Sequence, residues 1–361
     1  MMTTVWSFLL VLSLLILVHE LGHFIVARAF GVKVLKFSIG FGPRVWGIVK
    51  GDTDYCISAF PLGGFVKMLG EQPDEIVPEE EKDQSFSHKP LWQRAAIVAA
   101  GPISNLLFAA LIIFAILLLY GNPVLLPQIG EVQPDSPAYV GGLKPGDYIL
   151  AVNNKPVETW EELSLLIRSS QGKPLKLTVK RGETVLDLTI TPTIKKIKNV
   201  FGEELEVPII GVTAAGKLKI EKLNPLSAFY LAGVKTYNLI KLTFKGFAKI
   251  ITRDVPLSVL GGPIMIAQMA GQQAQQGMVN LFYFMALLSV NLGLLNLFPI
   301  PVLDGGHLFF FAIEAIIGRP LSMRQKEIAQ QIGIVILAAL MLLVFYNDIA
   351  RLMGFSKGFA P

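Results

Sequence analysis

The stretch MMTTVWSFLLVLSLLILVHELGHFIVAR, residues 1–28, carries one acid, Glu20, and no other Asp, Glu, Lys or Arg until Arg28; near its end stands His19-Glu20-Leu21-Gly22-His23. A run of about 20 uncharged residues is long enough to cross a bilayer as a helix. On a helix the two histidines lie one turn apart, so both imidazoles project from one face and can hold one Zn²⁺. Glu20 then sits beside the open coordination position as a base for water. The same five-residue pattern arises by chance in soluble helices. Inside an apolar span ionisable groups are costly unless they face a cavity or a metal, and that favours the chemical reading here.

Composition agrees with a membrane protein. The chain of 361 residues is 52% hydrophobic and 16% charged, with a mean hydropathy of +0.55, where soluble domains average about a quarter charged. Its net charge of +5 comes from lysines and arginines in loops that flank apolar runs, where they serve topology. No basic patch is interleaved with aromatics, so nucleic acid is excluded as a partner. Cys56 stands alone, which excludes an intramolecular disulfide and a cysteine-based metal site. The first run lacks a basic leader and a small-residue cleavage site, so it reads as a span and not as a signal peptide.

Hydropathy predicts four spans, near residues 5–27, 95–120, 279–298 and 328–346. The loop between the first two carries Arg28, Lys33, Lys36, Arg44, Lys50, Lys67, Lys82, Lys89 and Arg94, and the loop before the last carries Arg319, Arg324 and Lys326. The positive-inside bias places both loops in the cytoplasm. The N-terminal stub has no basic residue and the tail has Arg351 and Lys357, so both termini of this multipass protein are expected outside. The long stretch between the second and third spans then lies outside as well, its lysines notwithstanding, because long domains translocate largely regardless of charge.

This parity brings the C-terminal ends of the first and third spans to the same, cytoplasmic side. Just past the third span comes Asn296-Leu297-Phe298-Pro299-Ile300-Pro301-Val302-Leu303-Asp304-Gly305-Gly306, in which Asp304 is the sole charge between Asp254 and Glu314. A catalytic zinc needs a third protein ligand while keeping one position for water, and a carboxylate at matching depth supplies it. Asp304 could instead cap the helix that begins at Gly305 or Gly306; its depth and isolation favour the ligand. His307, one turn further on, is compatible with orienting the site or with packing.

The paired motifs resemble the site-2 protease family of intramembrane metalloproteases, and within it the bacterial RseP branch. Further matches are Gly101-Pro102-Ile103-Ser104-Asn105 in the second span, Gly261-Gly262-Pro263 before the third, and a single PDZ-like domain between them, where several members of that branch carry two. The resemblance implies zinc ligands His19, His23 and Asp304 with Glu20 as catalytic base. It also implies Asn296, and less directly Asn105, as residues that contact the substrate or support the site. The implied activity is hydrolysis of a peptide bond in or near the span of a single-span membrane protein, close to the cytoplasmic face. Anti-sigma factors and signal-peptide remnants are the substrate classes such regulated proteolysis suggests. A catalytically silent adaptor would have no need of the full set His19, Glu20, His23 and Asp304. A zinc transporter would want further intramembrane carboxylates or histidines, and the spans show none.

Four regions are expected: a membrane core over 1–121, a PDZ-like extracytoplasmic domain over 122–215, an amphipathic juxtamembrane linker over 216–278, and the rest of the core over 279–361. Residues 34–68 are rich in β-branched and aromatic residues and broken by Gly40, Gly42, Gly47 and Gly51-Asp52, which reads as one or more hairpins. The resemblance adds that this β-element dips into the membrane beside the site. A helical substrate hides its carbonyls in backbone hydrogen bonds, so cleavage requires it to unwind against something that pairs it again, and a strand edge does so. A hairpin that only packs on the helices is the plainer alternative. In 122–215, strands are expected at 129–132, 148–152, 175–181 and 184–192, with a helix over 160–169. Ser136-Pro137-Ala138 and Gly142-Leu143-Lys144-Pro145-Gly146-Asp147 resemble the signature of circularly permuted bacterial PDZ domains, which implies a possible peptide ligand. The stretch 226–252 sets Lys235, Lys241, Lys245 and Lys249 among apolar residues at helical spacing, as a helix on the membrane surface in contact with lipid does.

Overall fold

The computed structural model of the chain describes residues 2–72, 75–198 and 204–354; Lys357, counted above with the basic residues of the tail, lies outside them. In chain order the elements are α1 (Met2–Ala29), β1 (Val34–Lys50), β2 (Thr53–Met68), α2 (Leu91–Tyr120), β3 (Asn122–Leu125), β4 (Ile129–Val132), α3 (Pro137–Val140), β5 (Tyr148–Val152), β6 (Lys155–Pro156), α4 (Trp160–Ser169), β7 (Leu175–Arg181) and β8 (Thr184–Ile190). They continue with β9 (Thr193–Lys198), β10 (Glu204–Ile209), β11 (Val212–Ala214), β12 (Leu218–Glu221), α5 (Pro225–Ile251), α6 (Pro263–Gln275), α7 (Met278–Asn296), α8 (Asp304–Ile317) and α9 (Met323–Leu352). These divide into two compact units, one of Met1–Ala115, Tyr230–Ile250 and Pro256–Pro361, the other of Ile116–Phe229 and Ile251–Val255.

In the first unit α1, α2, α7 and α9 are, among the described residues, the helices long and apolar enough to cross a membrane. They coincide with the four expected spans. Their outward faces are apolar: Trp6, Leu107, Val335 and Leu342 are all more than 60% exposed. Water would penalise such a surface and lipid does not. The buried stripe of α1 runs Ser7, Val11, Leu15, His19, His23 and Ala27, in steps of four. Both histidines therefore belong to the face turned into the bundle. In lipid no hydrophobic effect draws helices together, so close approach relies on small residues. Gly22 of α1 meets Ala100 and Ser104 of α2, where an added Cβ would lie inside van der Waals contact, and Gly293 of α7 lies against Pro102 O.

β1 and β2 follow α1 and do more than form a hairpin. Gly40 and Gly42, at φ of 93° and 90°, turn β1 back on itself, and Gly63 marks the corresponding bend in β2. Run 34–39 pairs with 64–68 on one side, and on the other Lys36, Phe37, Ser38 and Ile39 face Asp54, Tyr55, Cys56 and Ile57; run 44–50 pairs with 53–58. The two strands thus make a four-run layer in the order 64–68, 34–39, 53–58, 44–50. Phe24 of α1 packs edge-on against Phe37 and Tyr55, which seats the layer on the helix that carries the histidines.

The stretch expected as a surface helix is α5, and its portion in this unit runs along α7. Thr243 donates to Asn291 at 3.1 Å and Phe247 packs edge-on against Phe298. The N-terminus of α6 is capped from α9: Asp348 accepts from the amides of Gly262, Ile264 and Met265 at 2.9–3.1 Å. That satisfies donors a helix start leaves open. It fixes α6, which packs on α1.

The second unit holds a four-stranded sheet in the order β6-β5-β7-β8 and the pairs β3 with β12, β4 with β11 and β9 with β10. Four of its strands and α4 fall where the sequence predicts them. α4 starts at Trp160 because Thr159 and Glu162 form a reciprocal capping box. Its Leu163 and Ile167 join Ile129, Ile149, Leu177 and Val179 in one apolar core. Asp147, 1% exposed, accepts from Arg181 Nε and Nη2 and from the Lys144 amide, each at 2.8 Å. Burial alone would push its carboxyl up; the Arg181 guanidinium and the Lys144 amide outweigh it and hold it below the usual carboxylate range. A pKa lower in the folded than in the unfolded state contributes stability that is present above the unfolded value and lost as pH falls through the folded one. Asp147→Asn is therefore expected to cost this unit about 2 kcal/mol at neutral pH, and the difference from the parent is expected to shrink below about pH 4. Unfolding followed through Trp160, which packs on this core, measures both.

Candidate metal centre

His19 and His23 are each 8% exposed and face α2. Their rings meet edge-on, with Nε2 atoms 3.2 Å apart. Asp304, first residue of α8, brings Oδ2 to 3.0 Å from His19 Nε2 and Oδ1 to 3.6 Å from His23 Nε2. Among the described residues this is the group of three or more His, Cys, Asp and Glu side chains able to hold a metal ion. Tetrahedral zinc with bonds of about 2.0–2.1 Å sets its ligand atoms roughly 3.3 Å apart. The Nε2–Nε2 separation of 3.2 Å matches that value, and the Asp304 carboxylate approaches with Oδ2 toward His19 at 3.0 Å and Oδ1 toward His23 at 3.6 Å.

Proton placement agrees. His23 Nδ1 stands 2.9 Å from the carbonyl of Ile97, which can only accept, so in the neutral ring Nε2 carries the lone pair. The amide of Asn105 reaches His19 Nδ1 at 3.3 Å, and Asn105 Oδ1 has no other partner though buried. With the amide turned by half a rotation, Oδ1 accepts the Nδ1–H and both needs close. Asp304 Oδ2 is likewise buried without a hydrogen-bond donor, its 3.0 Å approach to His19 notwithstanding. In these tautomers the two Nε2 lone pairs and the carboxylate turn toward one point. A cation satisfies that arrangement, and the donor set of two imidazoles and one carboxylate is one that zinc takes.

The sequence explains how these side chains arrive. Gly101 lies directly against both rings: an added Cβ would overlap His23 Nε2 and come within 2.9 Å of His19 Cε1. Pro102 leaves the carbonyl of the preceding turn without its helical donor. Pro299 and Pro301 stop α7 and turn the chain, Val302 takes a φ of 95°, and Gly305 and Gly306 let α8 start against the backbone of Leu297, Phe298 and Ile300. Gly333 of α9 packs on Pro301 and closes the turn from outside.

A cavity of about 330 Å³ opens on the cluster, lined by His19, Glu20, His23, Asn296, Asp304 and His307 together with Phe65, Val66, Met68 and Glu71. Glu20 and Asn296, both singled out in the sequence, therefore face the space where a reacting group would sit. Asn296 Nδ2 reaches only 3.5 Å from the His19 ring nitrogens. Asn105 is fully buried behind His19 and does not line the cavity. His307 lines it with its ring edge-on to Phe310. Glu71 is the lining residue that sequence reasoning missed, since nothing local distinguishes it from the other acids of its loop. Outside the cluster, His88 Nδ1 meets the hydroxyls of Ser85 and Ser87 at 3.2 Å.

Helices long and apolar enough to cross a membrane, around a His₂Asp cluster with a carboxylate beside it and a cavity in front, have the parts of a metal-dependent hydrolase. The comparisons with known proteins specify it. The model of peptidase family M50 matches residues 7–340. A protein of Agrobacterium fabrum provisionally named a zinc metalloprotease is 39% identical over 96% of both chains. Protease RseP of Yersinia pestis is 36% identical over 98% of this chain and all of its own, in an alignment of 453 positions that includes sequence this chain lacks. The regulator of sigma-E protease RseP of Salmonella typhimurium is 35% identical over the same shares. Of solved structures, the PDZ domain of an SdrC-like protein from Listeria monocytogenes aligns with 25% of this chain at 25% identity and a TM-score of 0.20. The chain belongs to peptidase family M50 and is a metalloprotease of the site-2 type.

Gly101→Ala forces the His23 ring aside while leaving every donor in the sequence. The expected outcome is a loss of metal affinity of roughly tenfold or more, the scale on which disturbed ligand surroundings act, in a chain that remains folded; elemental analysis beside a thermal unfolding curve measures it.

Proposed function

We propose that this chain is an intramembrane zinc endopeptidase of the inner membrane, and that it hydrolyses a peptide bond in or near the span of single-span membrane proteins. The observation that carries the proposal is the convergence of His19 Nε2, His23 Nε2 and the Asp304 carboxylate inside a bundle of apolar helices. His19, His23 and Asp304 hold the zinc. When bound, the metal supplies Lewis acidity to the scissile carbonyl and to the attacking water. Glu20 takes the proton from that water and passes it to the leaving nitrogen as the C–N bond breaks. Asn296, facing the same cavity, donates its amide hydrogen to the carbonyl oxygen under attack. Asn105 acts from behind, fixing the tautomer and the angle of His19.

Run 64–68 supports the substrate-pairing role of the β-layer. It stands at the end of the four-run order, and its Phe65, Val66 and Met68 line the active cavity. An edge at that place pairs the backbone of a substrate whose helix has opened, by adding it as a further strand. The second unit is the PDZ-like domain, and it admits or excludes substrates from the extracytoplasmic side. The relatives' names connect RseP with sigma-E, and cleavage of an anti-sigma factor or a signal-peptide remnant is the corresponding role proposed for this chain.

Glu20→Gln is expected to keep one zinc per chain, because the base is not a ligand, and to lower turnover by about 10²–10⁴-fold. Retained turnover would remove Glu20 from the chemistry. Zinc unchanged after His23→Ala and Asp304→Ala together would remove the metal assignment. The same Glu20→Gln variant holds uncut substrates in native membranes for identification.

Substrates with Gly or Pro in place of Leu near the cut should be cleaved several-fold faster, since helix-breaking residues cost about 1 and 3 kcal/mol relative to Ala in a water-exposed helix. Equal rates across a matched series in liposomes, with chemistry rate-limiting, would leave the β-layer a packing element only.

Cys56 is buried, so topology is read better from a Cys56→Ser chain with Glu80→Cys on the exposed loop. Impermeant maleimide is expected to label it from the cytoplasmic side, and labelling from outside would invert the orientation.

A further inference from the structure

Arg94 stands in the first turn of α2 and Glu314 near the end of α8. Arg94 Nη2 lies 2.5 Å from Glu314 Oε1 and Nη1 3.4 Å from Oε2. Both side chains are 14% exposed. The Arg94 Nε donates to the carbonyl of Lys89 at 3.2 Å, and the guanidinium sits 5.0 Å from the centre of the Phe311 ring, one turn before Glu314. Exposed ion pairs contribute little because water screens them and both side chains must be ordered. This pair is shielded, forked and held flat by an aromatic face, the circumstances in which arginine fixes geometry as well as charge.

The two helices it joins are the two halves of the metal centre. α2 orders both imidazoles, through Ile97 O, Gly101 and Asn105. α8 opens with Asp304. Glu314 lies ten positions beyond Asp304, about 15 Å along the helix. At its near end α8 rests on the turn through Val302, whose positive φ is unfavourable for a β-branched residue. A helix fixed only there could pivot on the turn, and Asp304 would move with it. A second fixed point at Glu314 sets the direction of the axis.

We propose that Arg94 and Glu314 are positioning residues for the metal centre: the pair locks α8 to α2 and thereby sets the distance of Asp304 from His19 and His23. The inference rests on the metal assignment above. It gives Arg94 a role other than its topological one, and it makes Glu314 part of the site's construction although it lies outside the cavity that holds the chemistry.

The test is zinc affinity of the purified full chain, by competition with a chelator, beside unfolding of the metal-free chain and kcat and KM for one substrate. Glu314→Asp keeps the charge and withdraws the carboxylate by one methylene; Arg94→Lys keeps the charge and removes the fork. Each is expected to lower zinc affinity about tenfold and to reduce kcat more than KM, with metal-free unfolding moved by no more than a few degrees. Glu314→Gln and Arg94→Gln are expected to lose more, and the exchanged pair Arg94→Glu with Glu314→Arg to recover part of the loss. Wild-type zinc affinity in the two conservative variants, or losses that only follow metal-free unfolding, overturn the inference; these two variants decide it if the exchanged pair does not fold. His23→Ala with Asp304→Ala in the same assay separates the two readings. Zinc lost there but unchanged in the Arg94 and Glu314 variants removes the positioning role and leaves the metal centre standing.

Discussion

Two imidazole nitrogens and a carboxylate brought together inside an apolar bundle, with the Nε2 atoms 3.2 Å apart and the two Asp304 oxygens 3.0 and 3.6 Å from His19 and His23, impose the main constraint on this fold. Unshared lone pairs at that separation repel, and burying them without a compensating charge is expensive. The surrounding structure is arranged to tolerate the cluster. Each imidazole has its far nitrogen engaged by α2, at Ile97 O and at Asn105. α2 is itself held from behind, where Ser289 of α7 donates to the carbonyl of Asn105 at 2.7 Å. Lipid gives no hydrophobic reason for the helices to associate, so the approach that aligns these groups comes from the small residues Gly22, Gly101 and Gly293 and from polar links such as Ser289 to Asn105.

On the proposed function the β-layer answers a different demand. Peptide hydrolysis needs an extended backbone, and a membrane span is a helix because lipid tolerates no unpaired amide. Whatever opens the helix has to offer donors and acceptors at the same depth as the metal. Placing run 64–68 at the end of the layer and at the wall of the cavity puts strand-pairing groups beside the cluster. Gly64, whose added Cβ would meet Ser38 O at 2.8 Å and Glu20 Cγ at 3.4 Å, keeps the layer and the catalytic helix in close register.

What the sequence made legible follows from the range of the physics involved. The spans depend on uninterrupted local hydropathy, and His19, Glu20 and His23 on a four-residue spacing, so both could be read directly. Asp304 required one further step, that two spans of like direction end on the same side. In the second unit, α4 was legible because its capping box and its apolar spacing are both local. The folding of β1 and β2 into four runs was not, because Lys36–Ile39 facing Asp54–Ile57 is a pairing across sequence that alternation within either strand does not encode. Strands β3, β11 and β12 were missed for a related reason: β3 with β12 and β4 with β11 join residues some eighty or more positions apart, whereas β9 and β10 pair with each other locally and were missed because Lys195, Lys196, Glu204 and Glu206 leave little apolar signal there. α5 has the same lysine spacing whether its apolar face meets lipid or a neighbouring helix, so its place along α7 needed Thr243 and Asn291 to be seen together. Glu71, Arg94 and Glu314 take their meaning wholly from tertiary placement.

The turn before Asp304 shows how these demands are reconciled. Among the described non-glycine residues at positive φ, Val302 is the β-branched one, and such backbone strain costs on the order of 1–3 kcal/mol and persists only where the surroundings over-determine it. The surroundings do so here. Pro299 and Pro301 remove the alternative of continuing α7, Gly305 and Gly306 admit the backbone of the turn, Gly333 packs α9 on Pro301, and Arg94 holds the far end of α8. A relaxed turn would carry α8 elsewhere and take Asp304 away from the histidines. On the proposed function the strain is retained because it directs Asp304 toward the two imidazoles, which lie 3.0 and 3.6 Å from its carboxylate oxygens.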